Sequence, residues 1–194
     1  MDGKVLVTGA TGYIGGRLVP KLLELGYSVK VLARDPERVL DRKWADKVEV
    51  VTGNVLLADS LEEVMKNVSV AYYLVHSMTG GSNFHERDIQ GARNFGNAAK
   101  LNGVERIIYL GGLGDPEEDL SKHLSSRHQT GDELRKSGVP VTEFRAAVVV
   151  GAGSVSFEIV RYLVERLPAM ICPSWVYTKT QPIAIDDLLE YLAC

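Results

Sequence analysis

KVLVTGATGYIGGRL, Lys4 to Leu18, decides how the rest of the chain is read. An apolar, β-branched run, Val5–Thr8, leads into glycines spaced three apart, Gly9, Gly12 and Gly15. Behind them Leu18, Leu22, Leu23 and Leu25 recur at helical spacing. The order is strand, turn, helix. In such a turn one glycine allows the tight reversal, a second lets a pyrophosphate approach the backbone, and a third lets helix and strand pack closely. The helix N-terminus offers unpaired N–H groups and a partial positive charge to an anion. By this spacing Thr8 to Gly15, with Thr11, Tyr13 and Ile14 between the glycines, form a cradle for a dinucleotide.

Similar apolar runs follow at Val29–Ala33, Val48–Thr52, Val70–Val75, Ile107–Leu110 and Val148–Val150, the last expected to be the sixth strand. Helical segments lie between them, notably Ile89 to Ala99 and the stretch around Leu134. Strands apolar on both faces that alternate with helices predict an α/β fold, a doubly wound parallel sheet. Gly26, Gly103 and Gly138 mark three helix stops. The polar segment Gly111 to Ser121, which contains Pro116, predicts a surface loop after the fifth strand. IDDLLEYLAC, the final stretch, predicts a helix capped by Asp186 that stops while still apolar, as in a fragment or a chain trimmed to its ordered domain.

The 194 residues argue for one domain. They divide into a nucleotide-binding part, residues 1–150, and the start of a C-terminal substrate region, residues 151–194, integrated with it. A net charge of −3 with no cluster of Lys and Arg argues against a nucleic-acid partner. No apolar run approaches the roughly 18 to 20 residues of a membrane span, and no signal-peptide pattern opens the chain. Cys172 and Cys194 have no metal-ligand spacing, so no metal is expected. A cytoplasmic location is the simplest expectation, with oligomerisation left open.

The TGATGYIG turn resembles the TGxxGxxG signature of short-chain dehydrogenase/reductase proteins of the extended and atypical type. Further likenesses follow in order: Arg34 ending the second strand, Gly53-Asn54-Val55 after the third, and Asp88-Ile-Gln-Gly91-Ala-Arg-Asn94 with Ala98-Ala99 on a helix. Leu134 to Arg145 is similar to the segment that leads into the sixth strand of NmrA-like members. Within that group the likeness is to proteins labelled nucleoside-diphosphate-sugar epimerases. The resemblance implies a Rossmann-type fold that binds NAD(P) and an oxidoreductase or epimerase acting on a small molecule. The other reading is a non-catalytic, redox-sensing regulator or scaffold.

A basic residue at the end of the second strand accommodates the 2′-phosphate of NADP, and an acidic one binds the ribose hydroxyls of NAD. Arg34 favours NADP, with Arg38 as a second cation, while Asp35 keeps NAD open. Asn54 stands where family members often carry an Asp against the adenine, beside Val55. Val75, His76 and Ser77, at the end of the fourth strand, fall where the nicotinamide ribose would lie.

Family reductases and epimerases use a Tyr-x-x-x-Lys pair with a Ser or Thr after the fifth strand. None of the eight tyrosines here has a lysine four residues later, and Gly111-Gly112 stands in place of the hydroxyl. Counting back from Ser137-Gly138 as family members do, His123 falls on the tyrosine position and Arg127 on the lysine position. Residues i and i+4 share a helix face. The resemblance therefore makes His123 the candidate for proton transfer and Arg127 the candidate for holding the ribose. After the sixth strand, Gly151 to Ser156 resembles the loop that opens the substrate pocket of extended members, with Glu158, Arg161, Trp175 and Tyr177 as its candidate walls.

Overall fold

The computed structural model describes residues 3–76, 84–114, 121–167 and 179–194. The expectations on Ser77, Pro116, Cys172, Trp175 and Tyr177 lie outside the described residues.

Six strands, β1 (Lys4–Thr8), β2 (Val29–Ala33), β3 (Glu49–Thr52), β4 (Val68–Tyr73), β5 (Arg106–Gly112) and β6 (Val141–Ala146), form one parallel sheet in the order β3-β2-β1-β4-β5-β6. Its chain order reverses between β1 and β4, opening a crevice at the carboxyl ends of those strands. The helices of this layered fold are α1 (Gly15–Glu24), α2 (Glu37–Leu40), α3 (Asp59–Met65), α4 (Phe84–Leu101) and α5 (Lys122–Lys136).

The two-residue period of the strands sorts their side chains onto opposite faces. Val5, Val7, Val31, Ala33, Tyr72, Ile108 and Leu110 join Leu18 and Leu22 of α1 in one buried cluster. Leu6, Leu32, Ala71, Tyr73, Ile107 and Tyr109 join Leu61, Val64 and Met65 of α3, Phe95 and Ala99 of α4 and Leu134 of α5 in the other. Both faces being covered explains why the strands read as continuous apolar runs. At the end of α1, Gly26 takes φ +84°, while its N–H donates to Leu23 O and that of Tyr27 to Leu22 O. This paired closure satisfies two carbonyls of the last turn.

Beyond the sheet, β7 (Val148–Val150) pairs in parallel with β8 (Pro182–Ala184), flanking α6 (Val155–Arg166) and preceding α7 (Ile185–Ala193). Ile185, Leu188, Leu189 and Leu192 of α7 return to the α1 side of the core, whereas α6 buries none of its residues.

Three local expectations are corrected. The sixth strand of the main sheet is β6, and Val148–Val150 belongs to the small sheet; Thr142, Glu143 and Arg145 break the apolar run that would have marked β6, yet the whole strand pairs with β5. Gly111 and Gly112 are the last residues of β5, not loop, paired with Arg145 and Ala146. Each lies under a side chain that a Cβ would displace, the Glu143 carboxylate at Gly111 and a methyl of Leu124 at Gly112. Finally, α7 begins at Ile185 behind Ala184, without a side-chain cap, and Asp186 sits inside its first turn. A carboxylate there favours the positive end of the helix dipole.

The turn after β1 is closely packed. Gly9 takes φ +69°, where its missing side chain would meet the carbonyl oxygen of Leu74 at 2.7 Å. A Cβ on Gly15 would stand 2.5 Å from Gly9 O and 2.8 Å from its carbonyl carbon. Backbone cannot step aside as a flexible side chain can, so Gly15→Ala should lower stability by about 1–3 kcal/mol, the usual range for overpacking. Urea denaturation followed by circular dichroism measures it, and an unchanged midpoint would show that the turn has slack.

Candidate dinucleotide cleft and catalytic cluster

A cleft of about 570 Å³ runs along the carboxyl ends of the strands, from the glycine turn toward β2 and β3 on one side and β4 on the other. Thr8, Gly9, Thr11 and Gly12 supply the turn, Arg34, Asp35 and Arg38 the β2 end, Asn54 and Val55 the β3 end, and Val75 and His76 the β4 end. These sequence-predicted residues are brought together. Tyr13, Ile14 and Gly15 lie behind the turn: Tyr13 and Ile14 pack on the α1 side of the core, and Gly15 opens α1.

The turn has the form an anionic group needs. Gly12 N–H donates to Gly9 O at 2.9 Å, closing the loop, whereas the N–H groups of Tyr13 and Ile14 donate to no backbone acceptor among the described residues. The first turn of α1 carries no acidic residue that would oppose an anion. At Gly12 a Cβ would meet only Gly9 O, at 3.1 Å, and otherwise enters open space. Arg42 braces the turn from outside by donating to Thr11 O at 2.7 Å.

At the β2 end, Arg34 and Arg38 are exposed, and neither makes a side-chain hydrogen bond or ion pair among the described residues. The carboxylate of Asp35 instead accepts the N–H of Glu37 at 3.2 Å, an engagement local to the start of α2. At the β3 end, Asn54 Oδ1 accepts from Leu56 N at 3.1 Å, so its amide NH₂ is the part left for a ligand. Asn94 of α4 donates to Val55 O at 2.9 Å and holds this loop over the cleft. Gly91 lets α4 sit this close, since a Cβ there would be 2.9 Å from the Tyr73 hydroxyl and 3.0 Å from a Val55 methyl.

The catalytic candidates converge at the β4–β5 side. Ser121 caps α5 by accepting Leu124 N–H at 3.3 Å, which sets His123 and Arg127 one turn apart from the helix start. Arg127 reaches across β5 and donates to Leu110 O, while its own carbonyl accepts the Tyr109 hydroxyl at 2.9 Å. The ring of His123 stands 5.8 Å from that of His76, tilted by 58°. Burial, then the Arg127 charge, hold the His123 imidazole below its ordinary pKa. His76 keeps an exposed edge, yet desolvation first, then Arg127, then His123 push its pKa down to about 4, against an opposing pull from Asp88.

Two residues of this region went unassigned from sequence. Arg87 and Asp88 of α4 line the cleft, and Asp88 is buried and accepts the Ser126 hydroxyl at 3.3 Å. The signal was available: Asp88, Gly91, Ala92, Phe95 and Ala99 form the buried stripe of α4, and a carboxylate on such a stripe asks for a reason. His128, beside Arg127, is buried, and its Nε2 has no hydrogen-bond partner among the described residues. Glu158 and Arg161 of α6 pair with each other at 2.6 Å, and Glu158 also accepts Gly153 N–H at 3.1 Å, so both are engaged locally.

The fold and its cleft define a dinucleotide-binding protein of Rossmann type. The family model described as NAD(P)H-binding matches residues 9–161, and the chain belongs to that family, among proteins of the atypical short-chain dehydrogenase/reductase kind. It is 29% identical over 172 residues to a ceramide reductase of Caulobacter vibrioides, covering 87% of this chain and 53% of the relative. The triphenylmethane reductase of Citrobacter sp., solved with NADP(H), matches with a TM-score of 0.67 at 24% identity over 84% of this chain and 55% of that one. WbmH of Bordetella bronchiseptica, solved with NAD+, matches with a TM-score of 0.75 at 21% identity over 97% and 70%. The chain spans about half the length of the curated reductase it matches. Among the described residues no helix is long and apolar enough to cross a membrane.

Two outcomes follow from this geometry. Gly12→Val should abolish dinucleotide binding in calorimetry and leave the circular dichroism spectrum unchanged, because the added atoms enter the cleft rather than the core. The His76 imidazole should titrate in NMR well below the ordinary 6.5, near 4. Arg127→Gln should raise that midpoint by removing a cation, and Asp88→Asn should lower it by removing the opposing carboxylate. Since the folded value lies below the unfolded one, the unfolded chain takes up this proton first. Stability from this group is therefore present above about 6.5 and falls as pH drops from there toward about 4.

Proposed function

We propose that this chain is the nucleotide-binding part of an NADP(H)-dependent oxidoreductase, of the reductase or epimerase kind, acting on a small molecule. The observation that carries the proposal is the convergence of His123, Arg127 and His76 at the carboxyl edge of β4 and β5, at one end of the cleft the glycine turn opens. A bound reduced nicotinamide supplies a hydride. The remaining work falls to side chains of this chain. Gly9, Thr11 and Gly12, with the N–H groups of Tyr13 and Ile14 at the start of α1, hold the pyrophosphate. The Asn54 amide and the Val55 backbone face the adenine. Arg127, anchored on Leu110 O, has further N–H donors to offer the nicotinamide ribose, the task a lysine performs elsewhere in the family. His123 handles a proton.

The tyrosines on β4 and β5, where the two histidines converge, are not available for that task. Tyr72 donates its hydroxyl to Leu192 O at 2.5 Å, Tyr109 donates to Arg127 O, and burial pushes the Tyr73 phenol far above its ordinary value. A histidine held neutral beside a fixed cation is the remaining proton carrier. Support for NADP over NAD comes from the unpartnered guanidiniums of Arg34 and Arg38 beside an Asp35 already engaged.

Calorimetric titration with NADPH and NADH tests the cofactor: NADPH should bind more tightly by about one to two decades, the worth of one charge-assisted contact. Arg34→Ala should remove most of that margin, and equal affinities in the unaltered chain would transfer the assignment to Asp35. Following NADPH oxidation with a panel of aldehydes, ketones and nucleotide sugars tests the chemistry. Arg127→Ala should weaken the cofactor by about 1–3 kcal/mol, and His123→Ala should slow turnover about 100- to 10,000-fold with affinity intact. Tight NADPH binding without turnover on any member of the panel would favour the regulatory reading.

A further inference from the structure

We infer that His76 is itself a catalytic residue, the inner member of a two-histidine proton relay whose outer member is His123. The inference rests on the reductase reading above and adds to it the residue that touches the reacting oxygen and the route by which its proton arrives.

Position carries the argument. His76 stands three residues beyond the end of β4 and lines the cleft, as His123 does not. His123 stands on the first turn of α5, exposed to solvent, with its ring 5.8 Å from that of His76. His76 is itself solvent-exposed, and the cleft, His76 and His123 succeed one another in space. Arg127, one helical turn beyond His123 and fixed to the end of β5, bears on both rings, and with burial it disfavours a second positive charge beside it. A neutral imidazole holds one N–H and one lone pair, so it can give a proton from one nitrogen while it receives another on the second. Asp88 of α4, which lines the cleft with His76, opposes Arg127: its carboxylate favours the proton on either ring. The arrangement also gives a reason for an arginine at this place: a guanidinium keeps its charge throughout and neither supplies nor consumes a proton.

The step balances as follows. As a carbonyl carbon gains a hydride, the C=O π pair passes to oxygen, and that oxygen takes the proton from one ring nitrogen of His76. The other nitrogen of His76 takes a proton from a water molecule that spans the 5.8 Å between the ring centroids, that water takes one from His123, and His123 recovers one from solvent. Each turnover consumes one carbonyl group, one solvent proton and one reduced dinucleotide, and yields one alcohol and one oxidised dinucleotide.

The test uses the full chain, NADPH and 4-nitrobenzaldehyde as the carbonyl probe, with His76→Gln and His123→Gln variants. Circular dichroism spectra of both variants should match that of the unaltered chain, and NADPH affinity measured by calorimetry should stay within about twofold in His123→Gln. His76→Gln should lose about 100- to 10,000-fold in kcat, the range for a general acid or base. Imidazole nitrogen NMR, which needs neither cofactor nor substrate, provides the second readout: His123→Gln should raise the His76 titration midpoint, because a neighbouring ring that competes for the same proton is gone. An unshifted midpoint, or a His76→Gln enzyme with unaltered kcat, overturns the relay and leaves the reductase reading standing. An unaltered chain that binds NADPH and reduces no aldehyde overturns the reductase reading, and the relay with it.

Discussion

The hydroxyl of Thr8 is fully buried at the end of β1, where it donates to Tyr72 O at 2.9 Å and accepts from Leu74 N at 3.0 Å. Those two bonds splice the last residue of β1 to the chain leaving β4. They hold Leu74 against the glycine turn, near enough that only a residue without a side chain fits at Gly9. The glycine turn and the Val75–His76 segment are the two walls of the cleft at this point, and their separation is fixed by this one side chain. A valine of similar shape would preserve the packing and lose both bonds, which in a buried site leaves a donor and an acceptor of the backbone unsatisfied.

From that splice the functional groups fan out along the carboxyl edge according to strand order. Positions toward β2 and β3 present guanidiniums and an amide from short turns, the end proposed above for the adenosine half. Positions toward β4 and β5, the end proposed for the reacting half, lie where the start of α5 meets the strand ends. Gly112 is what allows α5 to lie there, with Leu124 and the Arg127 stem passing directly over its backbone. A side chain at Gly112 would press on the Leu124 methyl, while the Arg127 stem lies at ordinary contact distance.

How much of this could be read from the chain depends on how far apart the cooperating residues lie. The glycine turn is local, and its spacing specified strand, turn and helix together. Likewise Val29–Ala33 matched its strand end for end, because both faces of a central strand are apolar. The edge strand β6 escaped, since Thr142, Glu143 and Arg145 interrupt the pattern and only pairing with β5 defines them as strand. His123 and Arg127 were reached only through the resemblance, by counting back from Ser137-Gly138, and their four-residue spacing then put them on one helix face. The contact between His76 and His123 was not, because 47 residues and the whole of α4 separate them and only the sheet order brings the rings together. Asp88 was hidden in a different way, as one carboxylate among the charged residues of a helix until its burial set it apart.

The outer strands β3 and β6 each carry an ion-paired glutamate. Glu49 on β3 meets Lys4 and Lys30, and Glu143 on β6 is seated between Arg135 and Arg145, its carboxylate almost wholly out of solvent. A parallel sheet of this kind ends in two ladders of unpaired backbone groups, an open invitation to strand addition by another chain. Any chain adding itself to β6 would have to lie beside a carboxylate and two guanidiniums already locked together, and at β3 beside a carboxylate shared by two ammonium groups. Among the described residues the sheet has six strands, and these charges make both of its margins poor templates for aggregation.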